Sequence, residues 1–277
     1  MDDERLPWHQ DLWRQLQQRR AAGRLPHALL LAGPAGLGKG LFARRLARAL
    51  LCDHPAADGE ACSQCRSCRL FRAGSHPDYS VVQPAEDGKI IKVDQIRALC
   101  AFLGYTAQYG GYKIALLEPA DQMNANAANS LLKTLEEPPG NGVLLLVTAQ
   151  PARLLATVRS RCQKIGFDPP AQAVAVPWLK ARVAERLEPV VLLDIAGGAP
   201  LAALAQADGE RWRRRRELFE CYEQTRAGRI NPIRAAERWI QGDLSENLRW
   251  LIGWHTDVIR LKMSVNPPCL GNSDLCS

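Results

Sequence analysis

HALLLAGPAGLGKGLFARRLARALL, His27–Leu51, is the stretch from which the fold is read. Ala28–Ala32 is an unbroken apolar run of strand length. A strand without alternation belongs in a sheet covered on both faces. Gly33, Gly36 and Gly38 follow, in a loop able to wrap closely round phosphates with its amides turned inward. Lys39 is placed to reach the terminal phosphates, and beyond it Phe42, Leu46 and Leu50 recur at helical spacing. Strand, glycine loop and helix in this order are the context of a phosphate-binding loop.

The same stretch breaks the rule at Gly40, where a Ser or Thr hydroxyl would hold the magnesium of a nucleotide. A second apolar run, IALLE at 114–118, predicts a buried strand that ends on Glu118. ATPases of this type place a magnesium-holding acid there, usually the shorter Asp. The next residue is Pro119, where related ATPases carry a Glu that polarises water. Gly33, Gly36, Gly38, Lys39, Gly40 and Glu118 are therefore candidate residues of a degenerate nucleotide site. It is expected to bind ATP weakly at best, with an impaired Mg2+ site and poor hydrolysis.

A third apolar run, VLLLVT at 143–148, predicts another strand. Between the last two, AANSLLKTLEE reads as a helix stopped by Pro138 and Pro139. Strands alternating with helices predict an α/β fold with a parallel sheet. Past Cys162 the composition shifts: 171–206 is rich in Ala and Leu with a GGAP break at 197–200, and apolar positions at helical spacing resume after 208. The expected division is a P-loop domain over 1–165, a small helical lid over 166–207 and a partial helical collar over 208–277. The run RWRRRR, 211–216, reads as a solvated helix face or linker, with a DNA-backbone contact as the alternative. The tail SVNPPCLGNSDLCS reads as irregular chain.

The bulk numbers set outer bounds. The 277 residues are 47% hydrophobic and 23% charged, a globular composition. No apolar run is long enough to span a membrane, and the polar start MDDERLPWHQ does not read as a secretory signal, so the cytoplasm is the expected location. A net charge of +7 permits an anionic partner, nucleic acid included.

Four of the nine cysteines cluster as C-x9-C-x2-C-x2-C: Cys52, Cys62, Cys65 and Cys68. Two-residue gaps let successive thiolates turn back onto one ion, and four thiolates suit tetrahedral zinc in a structural role. An iron–sulfur cluster is the rival, although its usual further Cys-Pro is missing after Cys68. His54 is an alternative ligand for one position. The other five cysteines read as small apolar residues, with Cys269 and Cys276 exposed in the tail.

These residues resemble a known family. The four-Cys insert after the P-loop helix, ANSLLKTLEEPP (128–139) and the triplet Ser160–Arg161–Cys162 are similar to the clamp-loader subunits of the AAA+ superfamily. SHPDY (75–79), VDQIR (93–97) and the worn nucleotide site resemble the delta-prime family of bacterial DNA polymerase III in particular. The resemblance covers about residues 8–270 and implies a stator. Such a subunit joins gamma/tau motor subunits and a delta subunit in a hetero-pentameric ring that loads the sliding clamp onto primed DNA. It has no polymerase activity of its own. The resemblance further implies that Arg161 is an arginine finger, set in trans against the ATP of a neighbouring motor. A polar sensor residue is expected at Thr148 or Ala149, and Leu201 or a neighbour stands where motors carry a sensing arginine. Collar domains of the family are longer than the segment after 208, hence the expectation of a partial one.

Two other readings compete: an active motor ATPase of the same family, and a zinc-dependent nucleic-acid-binding module. Gly40, Pro119 and Leu201 speak against the first. The second requires DNA affinity that depends on the cysteines and falls steeply with salt.

Overall fold

The computed structural model describes residues 5–85, 90–109, 111–184, 187–263, 270–272 and 274. The chain divides into two compact units, Met1–Asp168 and Pro169–Ser277.

The first unit is built on a five-stranded parallel sheet. Its strands are β1 (Ala28–Ala32), β2 (Tyr79–Val82), β3 (Lys113–Leu117), β4 (Gly142–Thr148) and β5 (Gln163–Gly166), in the spatial order β2-β3-β4-β1-β5. Every residue of β1, β3 and β4 is buried, as their uninterrupted apolar sequences require. Register pairs Ala32 of β1 with Thr148 of β4, so the P-loop and the end of β4 leave the sheet side by side.

The helices of this unit are α1 (Gln10–Ala21), α2 (Lys39–Leu51), α3 (Arg66–Arg72), α4 (Val93–Gly104), α5 (Ala125–Glu136) and α6 (Ala156–Ser160). Asn124 caps α5, its side-chain oxygen accepting from Ala127 N at 2.8 Å, and Pro138 blocks continuation past Glu137. Leu131 and Leu135 of α5, Val158 of α6 and Cys162 just beyond it share one core cluster with Leu30, Leu117 and Leu146 of the sheet. A short 3-10 turn, Pro7–His9, precedes α1.

The second unit is all helical among its described residues: α7 (Gln172–Lys180), α8 (Pro189–Ile195), α9 (Pro200–Gln206), α10 (Gly209–Arg226), α11 (Pro232–Trp239) and α12 (Leu244–Met263). Leu218, Trp250 and Trp254 are buried at its α10–α12 contact, with Phe219 and Tyr222 packed against them. The expected class, a parallel-sheet P-loop domain with a cysteine insert followed by helices, is the one observed. Among the described residues no single helix is long and apolar enough to cross a membrane.

The arginine run lies inside α10 and is not uniformly solvated. Arg213 is exposed, but Arg215 is only 1% exposed. Arg215 donates to Asp274 at 2.7 and 3.0 Å and to Asn272 at 2.7 Å. Asn272 in turn donates to the buried Asp257 of α12 at 2.7 Å, and so does the Gly271 amide at 3.0 Å. Part of the tail read as irregular is thus tied down by a buried polar network. Cys269 and Cys276 lie outside the described residues.

Candidate functional site

The P-loop has the backbone its glycines predict. Gly36 and Gly38 take φ of 80° and 81°, the left-handed region that side chains disfavour, and Gly38 is the N-cap of α2. Gly33 is required by crowding, because a Cβ there would stand 2.9 Å from the backbone carbon of Phe167, just past β5. Lys39 folds back on the loop, its Nζ donating to Pro34 O at 2.6 Å. Burial pulls the Lys39 ammonium below its ordinary pKa, against the opposing pull of Glu118 and Asp121.

Gly40 does more than lack a hydroxyl. A Cβ built on it would stand 2.7 Å from Cδ and 2.8 Å from Oε2 of Glu118. The carboxylate of Glu118, just beyond β3, therefore fills the volume that a Ser or Thr side chain would use. Arg44, one helical turn after Gly40, holds it there through a 2.6 Å ion pair. Sequence reading found Gly40 and Glu118 but missed Arg44, which looked like one more arginine on the outer face of an amphipathic helix. Nothing local to Arg44 marks a partner 74 residues away.

Two further groups brace the loop. The Trp8 indole N–H and the His9 imidazole Nε2 both lie on the Leu37 carbonyl, at 3.0 and 2.8 Å. A carbonyl only accepts, so His9 carries its proton on Nε2. Its ring packs edge-on against Phe42 and Phe167, with centroids 5.2 and 5.4 Å away. Burial pushes its pKa down to about 4, and it is neutral at pH 7. At the end of β4 the residue with polar side-chain bonds is Thr148. It donates to Asp121 at 2.5 Å and accepts from Gln150 N at 3.0 Å, whereas Ala149 is exposed. Leu201 lies in α9 of the second unit.

Arg161 follows α6 as its C-cap. Its guanidinium donates to Thr157 O at 3.0 Å and pairs with Glu136, the last residue of α5, at 2.6 Å. The two side chains are 36% and 50% exposed, so the pair stands at the surface.

The four cysteines converge. Their sulfurs all lie within 4.8 Å of one another, with Cys52–Cys65 at 3.9 Å and Cys62–Cys68 at 4.0 Å. Bonds of about 2.3 Å to a tetrahedral zinc place sulfurs about 3.8 Å apart. Backbone amides point at three of these sulfurs: Cys62 N to Cys52 at 3.2 Å, Cys65 N to Cys62 at 3.3 Å and Cys68 N to Cys65 at 3.4 Å. Amides directed at sulfur favour thiolate: those of Gln64 and Cys65 lower the Cys62 pKa to about 6, whereas burial raises those of the Cys52 and Cys68 thiols. The four cysteines are positioned to hold a metal ion, and His54 is not among the converging ligands.

The insert is also anchored to the rest of the first unit. Arg45 of α2 donates to Glu60 at 2.9 Å and stacks over Trp13 at 4.0 Å, while Trp13 Nε1 donates to Asp58 O at 3.0 Å. On its other side His76 meets Ser67 at 3.2 Å, and the buried Asp78 pairs with Lys113 at 3.0 Å. The SHPD phrase thus makes a buried polar strut between insert and sheet.

The chain matches known proteins over most of its length. The family described as "DNA polymerase III, delta subunit" matches residues 8–171, and "DNA polymerase III, delta subunit, C terminal" matches 209–277. DNA polymerase III subunit delta′ of Pseudomonas aeruginosa is 43% identical over 97% of this chain and 81% of its own length. The subunit delta′ of Escherichia coli is 38% identical over 77% of this chain and 64% of its own. DNA polymerase III subunit tau of Bacillus subtilis is 32% identical over 62% of this chain and 30% of its own.

Proposed function

The chain belongs to the delta-prime family of DNA polymerase III subunits, and on that premise we propose that it is the stator of a clamp loader. In this reading it works in the cytoplasm, in a hetero-pentameric ring with gamma/tau motors and a delta subunit. The ring places the sliding clamp on primed DNA. The chain acts through its contacts and through Arg161, without hydrolysing ATP itself.

The observation that carries the reading is the occupied volume at Gly40. Magnesium bridges the β- and γ-phosphates and neutralises charge that develops during transfer. Here the magnesium-binding hydroxyl is replaced by a carboxylate already engaged by Arg44. Pro119, next to that carboxylate, can neither accept a proton from water nor donate a hydrogen bond. Gly33 lies against the Phe167 backbone just past β5, and Phe42 of α2 packs on the Phe167 ring, so the loop's glycine geometry serves packing as well and has a reason to persist without turnover.

Arg161 supports the other half. Its guanidinium is accessible, permanently charged and planar, suited to the γ-phosphate oxygens of an ATP held by the next subunit. Such a group stabilises charge spread over the transferring phosphoryl, and fingers of this kind contribute about 10³–10⁵ in rate in the GTPase cases.

Zinc fits the cysteine cluster. Cys52, Cys62, Cys65 and Cys68 would hold it, filling all four positions and leaving none for a catalytic water. The ion would lock residues 52–68 against α2, a structural role.

The direct test is steady-state ATP turnover by the purified chain with magnesium, beside Lys39→Ala. The stator reading expects the two to be equally inactive. Turnover abolished by Lys39→Ala would make the chain a motor.

A further inference from the structure

We infer that Glu136 is a positioning residue for Arg161, holding its guanidinium in the orientation from which it serves a neighbouring ATP. This rests on the reading of Arg161 as a finger.

An arginine at the end of a short helix, half in solvent, has four side-chain torsions to order, and that entropy opposes any function requiring one pose. Here two acceptors fix it. Thr157 O takes Nη1 at 3.0 Å and Glu136 takes Nη2 at 2.6 Å. A guanidinium has five N–H donors in one plane, so two contacts define the plane and leave donors for an incoming phosphate. Both acceptors sit on rigid mounts. Leu135, next to Glu136, and Val158, next to Thr157, are buried in the same core cluster. The pose of the finger is thereby referred to the sheet rather than to solvent.

The placement of Glu136 runs against local preference. It is the last residue of α5, where the helix dipole disfavours an acid and favours a base. Nothing in helix stability calls for a carboxylate there, and its partner lies 25 residues on (161 − 136) across the α5–α6 contact. The pair is half-exposed, so it adds little to folding and can loosen without unfolding either helix.

The test uses the reconstituted complex with clamp and primed DNA, assembly being verified for each variant. Glu136→Ala is expected to lower kcat for ATP roughly three- to fivefold with KM unchanged, the loss of an oriented transition-state contact. Glu136→Gln keeps an acceptor oxygen and is expected to fall between Ala and wild type. Glu136→Ala combined with Arg161→Ala is expected to be no slower than Arg161→Ala alone. A Glu136→Ala complex as fast as wild type or faster, with Arg161→Ala slow, overturns the inference and leaves the finger standing. Arg161→Ala as fast as wild type removes the finger and the inference together.

Discussion

The carboxylate of Glu118 occupies the space beside Gly40 that a loop hydroxyl would fill, and Arg44 pins it there at 2.6 Å. The missing side chain and the acid that fills its place are one feature of the fold rather than two separate losses. Gly40→Ser is therefore expected not to restore a magnesium site. The new side chain must push the end of the Glu118 side chain aside and disturb its ion pair with Arg44, a penalty of at most about 1 kcal/mol that opposes the roughly 0.5 kcal/mol gained by removing a helical glycine. With Glu118→Ala in the background the penalty disappears. A double-mutant cycle on urea stability should give a coupling of about 1 kcal/mol, whereas additive effects would mean that the two positions do not meet.

His9 makes the first unit sensitive to mild acid. Burial lowers its pKa to about 4, below the ordinary 6.5, so the unfolded chain takes up a proton that the folded one refuses. Its contribution is complete above pH 6.5 and is lost as pH falls from there to about 4. His76, also lowered by burial, acts with the same sign. Urea midpoints at pH 7 and pH 5 should differ, with His9 responsible for roughly 2 kcal/mol. His9→Gln should shrink that difference; an undiminished one would place the acid sensitivity elsewhere.

Removal of a metal held by the four cysteines should loosen residues 52–68 and, through Arg45–Glu60, the outer face of α2. The expectation is one zinc per chain by elemental analysis and a Tm fall of roughly 5 °C or more in Cys68→Ser. A brown protein containing iron would favour the cluster that sequence spacing left open, and an unchanged Tm would remove the structural role.

Within RWRRRR the arginines should separate sharply. Arg215→Ala removes the buried guanidinium that ties Asp274 and Asn272 to α10 and should destabilise the second unit by roughly 3 kcal/mol. Arg213, exposed and 3.9 Å from Glu210, should cost less than about 0.5 kcal/mol when replaced by Ala. Equal effects on urea unfolding would contradict the burial of Arg215.

Much of this was legible in the chain because the signals are local. Leu29–Leu31 and Leu144–Leu146 are unbroken apolar runs, the loop glycines fall at fixed offsets, and the cysteine gaps are those of a single ion site. What escaped is long-range and electrostatic. Arg44, Arg215 and Glu136 are charged residues on helices, and a charge in a helix reads as solvated until its partner is known. Those partners lie 74, 59 and 25 residues away, a distance no periodicity reports. Trp8 and His9 were missed for a related reason, since their target is a backbone carbonyl, Leu37 O, which has no sequence signature.

On the proposed stator function, the chain contributes chemistry only to its neighbour, through Arg161. The most direct measurement is ATP hydrolysis by the assembled clamp loader containing Arg161→Ala, with ATP binding measured in parallel. The expected result is an intact ring that binds ATP normally and hydrolyses it about tenfold or more slowly at the site facing this subunit. Hydrolysis at the wild-type rate in a verified ring would contradict it.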